Sequence, residues 1–203
     1  MDEVTALSAL ADPTRRQVYD TVAAAAGLVS RDQVVATLGI GRTLAAFHLD
    51  KLAEAGLLEF HFVRGPSGGR PAKLYRRSGA EVDISVPPRS YVEAGELLAE
   101  ALEKAGADNV LQKVARARGR RANASKSMWE SLREHGYEPV QGDGEVVLRN
   151  CPFHKLAQEF PPLICGMNLG LLTGMAEGAR WPARAAMKPR PGHCCVVLKE
   201  DKK

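Results

Sequence analysis

The 203-residue chain lacks an apolar run long enough to cross a bilayer. Its best candidate, residues 163–175, is too short and is interrupted by glycine. The chain begins Met-Asp-Glu, without the basic segment or the apolar segment of a secretory signal. We therefore expect no membrane association and a cytoplasmic location.

Extreme charge and common catalytic motifs are lacking too. The net charge is only +4, so any basic character must be local. The sequence has no paired carboxylates, nucleophile elbow or phosphate-binding loop, which argues against an enzyme. It also has no Cys-x-x-Cys pair of the kind that structural zinc usually uses. The length suits two small domains, each able to bury its own core.

Residues 30–78, in contrast, carry a pattern for reading DNA. A short helix capped by Ser30, a glycine-containing turn and a second amphipathic helix are followed by two short strands around a Gly/Pro loop. Two supporting helices precede them, the second starting at Asp12-Pro13. This order predicts a winged helix-turn-helix domain over residues 1–80, which binds double-stranded DNA through the major groove.

The second helix of this pattern, residues 42–55, has two distinct faces. One is apolar and should be buried: Leu44, Ala45, His48, Leu49, Leu52 and Ala55. On the other, small side chains can touch base edges and Arg42 can reach guanine or a phosphate. Phe47 either touches a thymine methyl or packs against the wing or a partner subunit. The DNA-contacting residues predicted on this helix are Arg42, Thr43, Ala46, Phe47 and Lys51.

The two strands and their loop form the predicted wing. Residues 61–79 contain five Lys or Arg residues and no acid. Arg70 follows two glycines and precedes a proline, which suits a guanidinium inserted into a narrow minor groove. A solvated hairpin tip is the alternative. We predict that Arg64, Arg70 and Lys73 contact DNA from the wing.

Residues 81–90 are predicted to be a linker, because Val86-Pro87-Pro88 ends the last wing strand. Residues 91–203 then form a second domain with helices and a small antiparallel sheet, so the fold class is α+β. Its helices are expected near 91–105, 109–121, 123–135, 153–159 and 162–178, and its strands near 145–150, 183–188 and 194–199.

An apolar stripe from Tyr91 to Ala105 on the first of these helices is either core or a dimer seam. We favour the seam and expect a homodimer, because two-fold operators are read by two-fold proteins. A run of six basic residues between Lys113 and Lys126 follows, without an acid. This run either lies along flanking DNA or forms a solvated helix face.

The cysteines all lie beyond residue 150. In a cytoplasmic chain they favour a metal, cluster or redox role, although four cysteines can also simply fill a core. Cys151 precedes a predicted helix, whose N-terminus would stabilise a thiolate, and His154 lies one turn further on. Cys194 and Cys195 open the final predicted strand, where alternation would let only one of them reach a shared site.

Nearly the whole chain resembles the ArsR-like winged helix-turn-helix regulators that include the Suf-operon repressors. The resemblance lies in ADPTRRQVYDTV, LAAFHLDKLAEAGLL, GRPAKLYRRS, NCPFHKLAQEFPPLICGMNLGLL and PGHCCVVL. It implies a dimeric repressor whose C-terminal domain binds an iron-sulfur cluster through Cys151, Cys165 and Cys194 or Cys195. The fourth ligand would be the other vicinal cysteine, His154, His193 or an outside molecule. Gly41 stands where such recognition helices often have a serine cap.

The function expected from the sequence is therefore that of a repressor that senses iron-sulfur cluster, metal or redox status through its cysteines. A cluster is favoured over zinc because thiolates dominate the ligand set. Two alternatives stay open at this point. One is a regulator of the same fold that binds a small molecule, and the other is a thiol or zinc enzyme fused to a DNA-binding domain.

Overall fold

The computed structural model describes residues 2–25, 27–64, 71–122, 127–190 and 192–200. The chain divides into two compact units, Met1–Arg89 and Ser90–Lys203. Among the described residues, we find no helix with the length and apolar character that a membrane span requires.

The described residues of the first unit contain four helices, and local capping explains where the first three begin. Asp2, Asp12 and Ser30 each accept a hydrogen bond from the backbone N–H three residues on. The predicted cap at Ser30 is confirmed, and Gln33 completes a capping box with it. The helices are α1 (Glu3–Ala9), α2 (Pro13–Ala24), α3 (Arg31–Leu38) and α4 (Arg42–Glu54).

The turn between α3 and α4 depends on Gly39, which ends α3 in the left-handed conformation with φ 66°. The buried face of α4 is the predicted one except at Leu44, which is 44% exposed. Leu44 lies about 100° around the helix from Ala45, at the edge of the buried face. With Val18, Val22 and Val34, the buried side chains of α4 form the core of this unit.

A three-stranded antiparallel sheet completes the first unit. Its order is β1 (Val29–Ser30), β3 (Ala72–Arg77) and β2 (Leu58–Val63), so β3 lies in the centre. In the β2–β3 hairpin, Phe60 lies opposite Tyr75 and Phe62 lies opposite Lys73. The tip of this hairpin, residues 65–70, lies outside the described residues, and so does the predicted contact at Arg70.

The second unit combines helices with one four-stranded sheet, whose order is β4-β5-β7-β6 with every neighbouring pair antiparallel. The chain is therefore α+β with small antiparallel sheets. The elements of this unit are α5 (Tyr91–Lys104), α6 (Asp108–Ala122), α7 (Met128–Glu134), β4 (Pro139–Gln141), β5 (Glu145–Leu148), α8 (His154–Glu159), α9 (Pro161–Gly178), β6 (Ala183–Met187) and β7 (Val196–Glu200).

Three of these elements differ from the prediction. β4 was missed because three residues that begin with proline show no strand periodicity. α7 was expected from residue 123, whereas its described part starts after a Ser127 cap, and residues 123–126 lie outside the described residues. β7 starts at Val196 rather than at Cys194, so both vicinal cysteines precede the strand.

Helices α6 and α9 pack backbone against backbone. A Cβ at Gly174 would lie 2.0 Å from the carbonyl oxygen of Arg116, and one at Gly178 would lie 2.4 Å from that of Arg120. The two helices run parallel, because a step of four residues along α9, from Gly174 to Gly178, corresponds to a step of four residues in the same direction along α6. The close approach also involves a glycine of α6, because a Cβ at Gly119 would lie 2.2 Å from the carbonyl oxygen of Leu171 in α9. This close approach fixes the position of α9, which carries Cys165.

Candidate functional site

The exposed face of α4 carries the residues that the sequence predicts to contact DNA. Arg42, Thr43, Phe47 and Lys51 are exposed, and Ala46 is half-buried. Ala45, Leu49 and Leu52 hold the opposite face in the core. The α3–turn–α4 arrangement therefore presents one polar and partly aromatic face, as a recognition helix does.

Cations near this face are engaged with neighbouring acids. Arg42 donates two hydrogen bonds from Nη2 to the Asp32 carboxylate, at 2.7 and 2.8 Å. Lys51 Nζ lies 2.6 Å from Glu54 Oε2. Exposed ion pairs of this kind contribute about 0 to 1 kcal/mol each. A DNA phosphate can therefore replace either acid at little cost in stability.

Lys73 has a more tightly held position than the other two cations. Its Nζ lies 2.5 Å from Asp50 Oδ1 and 3.9 Å from the centre of the Phe60 ring. The Tyr75 hydroxyl donates to the same Asp50 oxygen at 2.9 Å. These contacts join β3 to α4, so Lys73 helps to fix the hairpin against the recognition helix.

The charge of Asp50 depends on these two donors. Burial alone would raise the pKa of Asp50, but the hydrogen bonds from Lys73 and Tyr75 outweigh burial and lower this pKa. Burial and the neighbouring Asp50 both raise the pKa of Tyr75. Asp50 is therefore a carboxylate and Tyr75 a neutral donor across the physiological pH range.

An open groove of about 570 Å³ separates α4 from the hairpin. Its walls include Ala46 from α4 and Phe62 from β2, and Phe62 is 67% exposed. Arg64, the next predicted contact, is exposed just beyond the end of β2. Two of the predicted DNA contacts, Ala46 and Lys73, thus line the groove.

The second candidate site consists of the four cysteines. Cys151 follows β5, Cys165 lies in α9, and Cys194 with Cys195 immediately precedes β7. Cys194 is near enough to Cys151, and Cys195 to Cys165, to help raise the pKa of that partner thiol. The strand-alternation argument for the vicinal cysteines does not apply, because β7 begins only at Val196.

The thiols of the first pair differ in acidity. The neighbouring Cys151, the Asn168 amide and backbone N–H groups lower the pKa of Cys194. The neighbouring Cys194, together with burial, raises the pKa of Cys151. The expected thiolate at the start of α8 is not supported at Cys151, because α8 begins only at His154 and the pKa of Cys151 is raised.

Two buried polar residues that sequence reasoning missed support this site. Asn168 Nδ2 donates to Cys194 Sγ at 3.2 Å, and Asn168 Oδ1 accepts a hydrogen bond from the Tyr137 hydroxyl. Both residues are 2% exposed. Burial raises the pKa of Tyr137, which stays a donor. The sequence did contain one signal for this network. Asn168 is an amide inside the apolar run 163–175, and a buried polar group needs hydrogen-bond partners.

His154, the suggested fourth ligand, is exposed on α8, and its ring lies 3.1 Å from the Gln158 amide one turn along that helix. Across the part of the chain that the structure describes, no three His, Cys, Asp or Glu side chains are arranged to hold one metal ion.

Residues 10–59 match the family model described as a helix-turn-helix domain. The match spans α2, α3 and α4 and ends within β2. No curated protein and no solved structure matches the chain. The family match confirms the predicted helix-turn-helix, and it supports a DNA-binding regulator.

Proposed function

We propose that the protein is a homodimeric transcriptional repressor whose second unit senses an iron-sulfur cluster through its four cysteines. The observation that carries this proposal is the convergence of Cys151, Cys165, Cys194 and Cys195 in a chain with a helix-turn-helix domain. The four residues come from three separate segments.

The donor set fits a cluster. Iron-sulfur clusters are held by cysteine thiolates, and a dinuclear cluster takes two on each iron. Cys151 with Cys194 and Cys165 with Cys195 would supply these two pairs. Such a cluster, when bound, supplies one-electron redox chemistry. Asn168 would hold the Cys194 sulfur in place, because hydrogen bonds to ligand sulfurs orient them and tune the potential. Zinc, which also takes thiolates, is the alternative occupant.

The DNA-binding part of the proposal rests on α4 and the hairpin. Arg42, Thr43, Ala46 and Phe47 would enter the major groove, since they lie on the exposed face of α4. The hairpin would act as a wing along the phosphate backbone, with Arg64 and Lys73 as its described cations. Arg70 and Lys51 complete the proposed contacts.

Homodimer formation is supported by large apolar side chains that are exposed on two helices of the second unit. Leu98 is 66% exposed and Tyr91 is 77% exposed on α5, and α6 exposes Val110 and Val114. An apolar face of this kind is characteristic of an interface. Two copies would place two recognition helices on half-sites about 34 to 36 Å apart. Leu98→Asp should therefore yield monomers in sedimentation and weaken binding to a palindromic operator.

The deciding experiment measures iron, zinc and acid-labile sulfide per chain after anaerobic purification. Cys165→Ser should abolish bound iron, because a hydroxyl is a poor substitute for a soft thiolate. His154→Ala is the matched control and should keep its iron. Loaded and chelator-treated wild type should then differ in affinity for the operator. Iron below about a tenth of an equivalent after anaerobic reconstitution would overturn the cluster and leave zinc or a small-molecule regulator as the readings to pursue.

A further inference from the structure

Helices α5 and α6 each carry an exposed stripe with the residue spacing of a coiled coil. α5 packs on α9 through Ala99, and α6 packs on α9 through Gly119. On each helix the stripe lies on the side turned away from this contact, and every residue in it is exposed. The stripe of α5 consists of Tyr91, Ala94, Leu98 and Ala101, and that of α6 consists of Val110, Val114, Ala117 and Arg121. Alternating steps of three and four residues form the seam between paired helices.

The charges beside the two stripes have opposite signs. α5 contains four glutamates and one lysine, whereas α6 contains one aspartate and five Lys or Arg residues. The formal charge is therefore −3 on α5 and +4 on α6. Glu93 and Glu100 lie along one flank of the α5 stripe, and Lys113 and Arg118 lie on opposite flanks of the α6 stripe. All four of these side chains are exposed.

We propose that α5 packs against α6 of a second copy of this chain, and that the two-fold symmetric interface contains this contact twice. The inference rests on the proposed function, because it specifies how the proposed homodimer forms. In a two-fold interface, each contact made by one copy is returned by the other. α5 has 14 residues and α6 has 15, so the contact can extend along the whole of both helices.

Charge selects this pairing over the pairing of like helices. If α5 met α5 of the second copy, Glu93 and Glu100 from both copies would lie along one seam. If α6 met α6, the seam would gather Lys113 and Arg118 from both copies, with Arg121 inside the stripe itself. Like charges across an interface oppose association, whereas α5 offers carboxylates to the cations of α6.

DNA would account for only part of this surface. The cations of α6 could bind phosphates, but Val110 and Val114, which are 61% and 59% exposed between them, would gain little from a polar DNA interface. DNA would also leave α5 unexplained, because phosphates repel the glutamates beside its stripe. A second copy explains the apolar residues and the charges of both helices together.

The test reverses the charge of one helix at a time in the full-length protein, purified anaerobically. The α5 variant carries Glu93→Lys and Glu100→Lys, and the α6 variant carries Lys113→Glu and Arg118→Glu. Each should raise the dimer Kd by about tenfold or more, because every contact then joins like charges. Sedimentation equilibrium at low ionic strength measures this Kd, since salt screens exposed charges.

The control carries Asp20→Lys on α2 and Glu159→Lys on α8. Both positions are exposed, and these substitutions change the net charge by the same amount as those of the α5 variant. Its dimer Kd should equal that of the wild type. A rise in Kd as large as that of the α5 variant would show that net charge, rather than the α5–α6 contact, controls association, and would overturn the proposal.

Two further samples distinguish repulsion from misfolding. A chain with all four changes in α5 and α6 should regain the wild-type Kd, because a basic α5 then faces an acidic α6. An equimolar mixture of the α5 variant and the α6 variant should form heterodimers, in which both contacts join opposite charges. Failure of both samples to associate would refute the pairing.

The remaining outcomes separate this pairing from the proposed function. A wild-type dimer whose Kd changes in neither variant would rule out the α5–α6 contact and leave the homodimer in place. If the α6 variant keeps the wild-type Kd but lowers the slope of log K against log salt for DNA binding, α6 lies along flanking DNA and the pairing is wrong. A monomeric wild type would overturn the homodimer and this pairing together.

Discussion

The two units of this chain position their helices by different means. In the first unit, α4 is held by side chains such as Leu49 and Leu52, and its functional groups point outward. In the second, α9 approaches α6 through glycine, and its functional groups, Cys165 and Asn168, are buried. The comparison shows two ways to fix the position of a helix. Large side chains can pack into a core, or glycines can allow the backbones of two helices to approach closely. Each arrangement responds differently to mutation.

The largest expected effect is on the glycine contact. Gly174→Ala would place a Cβ 2.0 Å from a backbone oxygen of α6, which cannot move without shifting that helix. We expect the second unit to lose about 3 kcal/mol or more of its unfolding free energy, the upper range for overpacking. Trp129 and Trp181 are the only tryptophans and both lie beyond residue 90, so their fluorescence during urea unfolding reports this unit.

Gly95→Ala is the matched control for this variant. Gly95 is also helical and lies in the same unit, but its added Cβ would meet only the end of the Leu156 side chain at 3.3 Å. The gain in helix propensity of about 1 kcal/mol should offset that contact. Equal destabilisation by both substitutions would show that α6 and α9 are not held by backbone contact.

This difference also explains what the sequence could predict. Ser30, Asp12 and the periodicity of residues 42–55 are local signals, and they placed α3, the start of α2 and α4 correctly. Leu44 was misplaced because its periodic position lies at the edge of the buried face, where neighbouring elements decide burial. Gly170 and Gly174 carry no such local signal. Their role appears only when α6, more than 50 residues earlier, is packed against them.

The cysteine site shows the same limit. Composition and a family resemblance gathered Cys151 and Cys165 into one candidate site, and in the structure each of them has its pKa raised partly by one of the vicinal cysteines. The strand argument at Cys194 failed because the position where β7 begins is set by its pairing with β5 and β6. Tyr137 could not be foreseen, since its partner Asn168 lies 31 residues away.

The next expected effect concerns this buried network. Asn168→Leu removes the acceptor of the Tyr137 hydroxyl and should cost about 1 to 3 kcal/mol, the usual penalty for a buried unsatisfied group. Adding Tyr137→Phe should restore part of that loss, because replacing both partners by apolar groups is nearly neutral. Urea unfolding followed by tryptophan fluorescence measures both variants. Additive losses in the double variant would mean that the two residues do not act as a pair.

A smaller effect is expected at the exposed face of the first unit. Asp50→Asn keeps an acceptor for Tyr75 but removes the charge that neutralises Lys73. DNA binding should tighten, and the slope of log K against log salt should steepen by about one unit, because one more cation is available to a phosphate. Asp20→Asn, an exposed change on α2, is the control. An unchanged slope would assign Lys73 to holding the hairpin rather than to DNA.

The smallest effect is expected at the charged rim of the α6–α9 contact. Glu177 accepts hydrogen bonds from Arg116 and Arg120, and these bonds lower its pKa to about 2. A lowered pKa in the folded state stabilises the protein above the ordinary value of 4.5, and this contribution disappears as the pH falls towards 2. The wild type should therefore exceed Glu177→Gln in unfolding free energy at pH 7, by about 1 kcal/mol or less because these charged side chains are partly exposed.

Thermal unfolding at a series of pH values should show the wild type and Glu177→Gln converging in acid. The control Glu159→Gln, an exposed change on α8, should have the same stability as the wild type at each pH. A difference that stays constant from pH 7 to pH 2 would show that Glu177 acts through packing against α6 rather than through its charge.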